Sequence, residues 1–108
     1  MKVAAHHDGK LPAATASAQL VNAVGLHARP SVKLIAAAKA FGCRVEVALD
    51  PAGPWVDAKS PVKIMRLRAR KGAVLYIRAL GHGAEEAVAA LVRLVSGRFG
   101  EAADAGHA

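Results

Sequence analysis

The 108-residue sequence has a single cysteine, few aromatic residues and no long apolar run. Cys43 has no second cysteine to pair with, so it can form neither an internal disulfide nor a cysteine-based metal site. The apolar runs are far too short to cross a bilayer, and charged and histidine residues near the N-terminus interrupt any signal-peptide pattern. The composition therefore argues against membrane insertion and against a disulfide-rich secreted scaffold, and it predicts a cytoplasmic protein.

Acidic residues are also scarce, because 8 Asp and Glu stand against 15 Lys and Arg and leave a formal net charge of +7. Part of the excess forms a basic run without an acidic residue, made of Lys59, Lys63, Arg66, Arg68, Arg70 and Lys71. Such a run can bind nucleic acid, anionic lipid, an acidic protein or a phosphate. No aromatic residue lies inside it to stack on bases. Composition alone leaves an acidic protein and a nucleic acid as open alternatives.

Length and hydrophobic content predict one domain with its own core, since 54% of the residues are hydrophobic. We expect this domain to cover residues 18–99. Residues 1–17 are mostly small or polar and show no periodicity, which is typical of a flexible N-terminal extension, and residues 100–108 are expected to form a flexible tail.

Alternating hydrophobic periodicities predict four strands and three helices within that domain. The predicted strands cover 18–24, 43–49, 55–58 and 73–80. The predicted helices are one over 29–41, a short one after Ser60, and one carrying Val88, Leu91, Val92 and Val95. The order βαββαβα predicts an α+β fold, an open-faced two-layer sandwich in which a four-stranded antiparallel sheet carries three helices on one face.

The short second helix has a clear start and two different faces. Ser60 followed by a proline is typical of a helix beginning, with the hydroxyl as N-cap and the proline in the first turn. Ile64 and Leu67 lie three residues apart and are expected to face the core. Val62 and Met65 form a second pair that points elsewhere. They either pack into the core as well or form an apolar surface patch.

His27 lies at the junction between a predicted strand and the first helix. A helix start offers unpaired backbone N–H groups and the positive end of the helix dipole, so an anion beside this histidine would be stabilised. Arg29 adds a charged fork two residues later. An imidazole is a nucleophile and is largely neutral near pH 7. These residues can accept and release a phosphoryl group, although a lone histidine at a helix start is more often a structural cap or a surface residue.

The residues around His27 also carry a family resemblance. The motif G-L-H-A-R-P occurs intact over residues 25–30, with Asn22 upstream, A-K-S over 58–60 and K-G over 71–72. In this order and at this spacing, the motifs resemble the histidine-containing phosphocarrier (HPr) family of the bacterial phosphoenolpyruvate-dependent phosphotransferase system. The resemblance covers about residues 18–97 and implies an open-faced β-sandwich.

The resemblance implies a phosphoryl carrier rather than an enzyme that turns over alone. His27 would take the phosphoryl group on its Nδ1 from phosphorylated Enzyme I, and Arg29 would stabilise that group. An Enzyme IIA-type domain would receive it, in sugar transport or its regulation. Residues 94–100 look like the nitrogen-related branch of the family, which is the alternative destination. The resemblance implies no cofactor, no metal, no nucleic-acid partner and no membrane insertion.

The resemblance also assigns roles to the second helix. Ser60 matches the family's regulatory serine, the substrate of an HPr serine kinase/phosphorylase, although its role as an N-cap requires no kinase. Pro61, Val62 and Met65 match an apolar docking patch for partner proteins. Lys63 and Arg66 would frame that patch and attract acidic partners, which weakens the nucleic-acid interpretation of the basic run.

Overall fold

The computed structural model describes residues 4–7, 12–22 and 25–100. In this part of the chain the elements are, in order, β1 (Ala4–His7), β2 (Pro12–Gln19), α1 (Ala28–Lys39), β3 (Arg44–Ala48), β4 (Val56–Asp57), α2 (Pro61–Leu67), β5 (Val74–Leu80) and α3 (Ala84–Ser96). A short 3-10 turn over Arg98–Gly100 follows the last helix.

The strands form one antiparallel sheet in the order β1-β2-β5-β3-β4. The predicted α+β fold class is confirmed, with the helices packed on one face of the sheet in an open-faced sandwich. Strands β2, β3, β4 and β5 correspond to the four predicted strands. Strand β1 was not predicted, and it pairs with β2 at one edge of the sheet.

The structure differs from the sequence prediction most at the N-terminal side of the sheet. The strand that periodicity predicts over 18–24 is found over Pro12–Gln19, where it pairs with β5. Residues assigned to a flexible extension over 1–17 therefore include strand backbone, because pairing with the distant β5 makes up for a weak local signal. The predicted tail falls almost entirely on residues 101–108, outside the described residues. The domain limits stay a prediction.

The core lies between the sheet and the helices, and its pattern follows the predicted periods. In β5, Leu75 and Ile77 are fully buried, whereas Tyr76 and Arg78 between and after them are partly exposed. The buried stripe of α3 contains the four predicted residues, Val88, Leu91, Val92 and Val95. Cys43 is buried, as expected for a small core side chain. Burial of these apolar faces holds α3 on the sheet and α1 on α3.

The opposite face of the sheet carries charged and aromatic side chains. Arg78 Nε donates a hydrogen bond to Glu46 Oε1 at 2.7 Å across the β3–β5 pair. The same guanidinium lies 4.1 Å from the centre of the Trp55 ring, within the range of a cation–π contact. This face of the sheet is therefore the open one. The helices, including α1 with His27 at its start, pack on the opposite face.

Candidate functional site

His27 is the N-cap residue of α1, at the helix start where the sequence predicted it. Its backbone is extended (φ −94°, ψ −167°), and its carbonyl accepts the first helical hydrogen bond from the Ser31 N–H, with N and O 3.0 Å apart. The side chain forms no capping hydrogen bond with the helix, and the residue is half-buried. The structural alternative in which the imidazole serves as the cap of α1 is therefore wrong.

The first turn of α1 provides positive electrostatic potential beside this histidine. The N–H groups of Ala28 and Arg29 have no acceptor within the helix, because the residues four positions before them precede its start, and Pro30 has no N–H to satisfy. No acidic residue occupies this turn. The Arg29 side chain is exposed and makes no hydrogen bond or ion pair within the part of the chain that the structure describes. A helix start, free amides and a guanidinium together favour an anion here.

The loop that leads into α1 is held by the segment that follows α2. Leu26 is buried, and its N–H donates to the Ala69 carbonyl at 2.9 Å. Gly25 has a φ of +66°, and a Cβ at this position would collide with the carbonyl oxygen of Ala69 and lie 2.7 Å from the Cα of Arg70. The buried Asn22 side chain donates from Nδ2 to the Gly25 carbonyl at 2.7 Å. These contacts require glycine in the motif and fix the start of α1 beside the end of α2.

Ser60 is the N-cap of α2, as predicted. Its hydroxyl accepts a hydrogen bond from the backbone N–H of Lys63 at 3.3 Å, and Pro61 occupies the first helical position. The Ser60 carbonyl accepts from the Ile64 N–H at 3.0 Å, which begins the helical hydrogen-bond pattern. The capping prediction is confirmed, and the regulatory role of this serine stays a prediction.

The two faces of α2 differ as the residue spacing predicted. Ile64 is completely buried, whereas Val62 and Met65 are 58% and 44% exposed. The alternative that these two side chains belong to the core is therefore wrong. With Pro61 they form an exposed apolar surface, named here the docking patch, and Lys63 is exposed beside it. A contiguous exposed apolar surface framed by polar residues is a feature that binding surfaces share.

A shallow concavity extends along the docking patch. It is lined by Pro61, Val62, Met65, Arg66 and Arg68. Both arginines are exposed, and neither forms an ion pair with a described residue. The predicted combination of apolar residues framed by cations is therefore present on α2 and its exit.

Two features of this region were not predicted from the sequence. Val32 on α1 is 65% exposed, and it lies off the stripe that faces the core, which is the signal that predicts its exposure. Arg68 was assigned only to the basic run, yet it ends α2 with a left-handed backbone. No sequence signal pointed to that conformation, because glycine is the residue usually found there.

Residues 4–7, 12–22 and 25–100 contain no group of three or more His, Cys, Asp and Glu side chains placed to hold a metal ion. Within the same ranges no helix has the length and apolarity that a transmembrane span requires.

Comparison with known proteins identifies a family. The protein-family model described as the PTS HPr component phosphorylation site matches residues 14–97. The phosphocarrier protein HPr of Pseudomonas aeruginosa is 39% identical over 82 residues, which cover 76% of this chain and 90% of that protein. The phosphocarrier protein NPr of Escherichia coli is 32% identical over 83 residues, covering 77% and 91% of the two chains.

A solved structure agrees with these relatives. The crystal structure of an HPr from Thermoanaerobacter tengcongensis superposes with a TM-score of 0.76 at 35% sequence identity, and the match covers 82% of this chain and 98% of that one. The likeness therefore extends over almost the whole of that protein's fold.

Proposed function

This chain belongs to the HPr family of phosphotransferase-system phosphocarriers, and we propose that it accepts a phosphoryl group on His27 from phosphorylated Enzyme I and passes it to an Enzyme IIA-type acceptor. One observation carries the proposal. His27 begins α1, and its imidazole is not used to cap the helix whose start it occupies.

The proposed transfer moves the phosphoryl group between two histidine nitrogens. The lone pair of His27 Nδ1 forms the new N–P bond while the N–P bond in the donor breaks, and the donor nitrogen keeps that bonding pair. Negative charge is spread over the three oxygens of the phosphoryl group during an in-line displacement. The Arg29 guanidinium and the N–H groups of the first turn stabilise that charge. The reverse step hands the group to the acceptor, so the protein acts as a carrier.

The docking patch supplies the surface on which both partners bind. Val62 and Met65 offer apolar contact area on α2, and Lys63 and Arg66 surround it with positive charge. Since the loop before His27 is hydrogen-bonded to the segment after α2, a partner seated on the patch would lie beside the imidazole. The patch therefore positions the partner, and the transfer chemistry takes place at α1.

Ser60 is proposed as a second, regulatory phosphorylation site for an HPr serine kinase/phosphorylase. Its position at the start of α2, directly before Pro61 of the docking patch, supports this role, because a phosphate there adds about two negative charges beside an apolar surface. The same phosphate would be tolerated at a helix N-terminus, where the dipole favours negative charge. Phosphorylation of Ser60 would thus weaken partner binding without unfolding α2.

The destination of the phosphoryl group is either sugar transport or a nitrogen-related regulatory chain. Similarity to both HPr and NPr proteins supports each branch. Phosphorylation assays with Enzyme I from the sugar branch and with its nitrogen-related counterpart, run side by side, distinguish them by the ratio of initial rates.

The function is tested by incubating the protein with phosphoenolpyruvate and a catalytic amount of Enzyme I. We expect wild type to gain one acid-labile phosphate and H27A to gain none. The matched control is H82A, which removes an exposed histidine from the turn before α3 and should still accept the group. Phosphate on H27A, or none on wild type, would overturn the proposal.

A further inference from the structure

Arg68 ends α2 in a conformation that few side chains adopt. Its φ and ψ are 52° and 41°, in the left-handed region, and its N–H donates to the Met65 carbonyl at 3.2 Å. An L-residue in this region brings its Cβ close to the following carbonyl oxygen, and glycine avoids that cost. An arginine therefore destabilises this helix end relative to glycine.

No hydrogen bond, ion pair or ring contact of the Arg68 side chain within the described fold offsets that cost. The side chain is exposed and forms no hydrogen bond or ion pair with a described residue. The sequence has no Asp or Glu between residues 58 and 84, so no carboxylate lies nearby along the chain. Backbone strain that the fold itself does not use is found most often at functional positions.

The position of Arg68 connects the docking patch with the loop that carries the histidine. Its side chain lines the concavity next to Val62 and Met65. Its chain neighbour Ala69 accepts the hydrogen bond from Leu26, which directly precedes His27. Arg68 therefore stands at the junction between the docking patch and the segment that holds the loop before His27.

We propose that Arg68 is a specificity-determining residue for the phosphoryl donor, and this inference rests on the proposed function. The guanidinium binds a carboxylate of Enzyme I at the edge of the apolar contact that the docking patch makes with it. An arginine fork can hold a carboxylate with two hydrogen bonds, which fixes orientation as well as charge. The concavity favours an acidic partner because its lining contains two arginines and no carboxylate. Arg68 thus orients the donor toward His27 and does not touch the phosphoryl group.

The test compares R68G with R98G in the Enzyme I phosphorylation assay. Arg98 is a matched control because it also has positive φ (58°) and the same charge, and it lies after α3 and outside the concavity. Both substitutions should raise the melting temperature by a few degrees, since glycine relieves the left-handed strain. R68G alone should raise the KM of Enzyme I for this protein as substrate by about fivefold with kcat nearly unchanged, and it should flatten the dependence of kcat/KM on salt.

Two substitutions at the same position separate charge from geometry. R68K keeps the charge without the planar fork, so its KM should fall between those of wild type and R68G. R68N removes the charge but tolerates the left-handed backbone, so its KM should match that of R68G.

Three results would overturn the proposal. Equal KM values for R68G and R98G would show that Arg68 does not act on the donor, while phosphorylation of wild type would leave the proposed function standing. A lower melting temperature of R68G that tracks its KM would show a merely structural role. A wild-type protein that accepts no phosphate would overturn this inference together with the proposed function.

Discussion

At the scale of single residues, the proposed chemistry is shared between an imidazole and a guanidinium two positions apart. In the proposed mechanism, His27 provides the nucleophilic nitrogen, and Arg29 provides charge for the arriving oxygens. Arg29 is exposed and pairs with no other residue described in the structure, so its removal disturbs little of the fold. This separation of roles makes a chemical effect of Arg29 distinguishable from a structural one.

We expect R29A to lower kcat/KM for phosphoryl acceptance by about 10- to 100-fold, because it removes a charged donor from the transition state. R29K should recover part of the loss. Stopped-flow or quench measurement of phosphorylation by Enzyme I checks this expectation. The control is R93A, which removes an exposed arginine from α3. Equal rates for R29A and R93A would exclude the assigned role.

Ser60 has a structural effect that can be measured without any kinase. S60A removes the acceptor of the Lys63 N–H hydrogen bond and should lower the free energy of unfolding by about 1 kcal/mol. For a domain of this size the melting temperature should fall by about 4–8 °C. S60N, which preserves an N-cap acceptor, should stay close to wild type. Chemical and thermal denaturation check both values, and an unchanged S60A would show that the capping bond contributes nothing.

At the scale of elements, α2 is a short helix that buries one side and exposes an apolar other side. M65E places a charge on the exposed side, so it should reduce the rate of transfer from Enzyme I at least tenfold while leaving stability within about 0.5 kcal/mol. L49E is the matched control, since Leu49 is 38% exposed and lies outside the docking patch. A similar loss in both variants, or none in M65E, would contradict the proposed docking role.

The elements also show which parts of the fold could be predicted from the sequence. Helix α2 was predicted because its signals are local, with a hydroxyl cap, a proline and apolar residues three apart. The position of strand β2 was predicted wrongly, because its sequence, PAATASAQ, has small residues with weak strand preference. Its register depends on pairing with β5, more than 50 residues later. Pairing partners far along the chain leave no local signal.

The candidate site shows the same division between local and distant information. His27 and Arg29 were identifiable from a contiguous motif at a helix start. The contact between Gly25 and the segment after α2 was not, because it joins residues distant in sequence. The left-handed backbone of Arg68 could not be predicted either, since arginine rarely adopts that conformation.

At the scale of the whole molecule, the net charge of +7 makes association with an acidic partner dependent on ionic strength. We expect kcat/KM for phosphorylation by Enzyme I to fall about tenfold between roughly 50 mM and 500 mM NaCl, mainly through KM. Steady-state rates across that range, with circular dichroism to confirm an intact fold, check this expectation. A salt-independent KM would show that the basic residues around the docking patch do not attract the partner.

The central claim is that the phosphoryl group resides on Nδ1 of His27, and NMR of the phosphorylated protein tests it most directly. After treatment with phosphoenolpyruvate and Enzyme I, we predict one phosphohistidine ³¹P resonance, correlated with the Nδ1 nitrogen of His27 and absent in H27A. A resonance that correlates with another residue, or one that persists in H27A, would contradict the account.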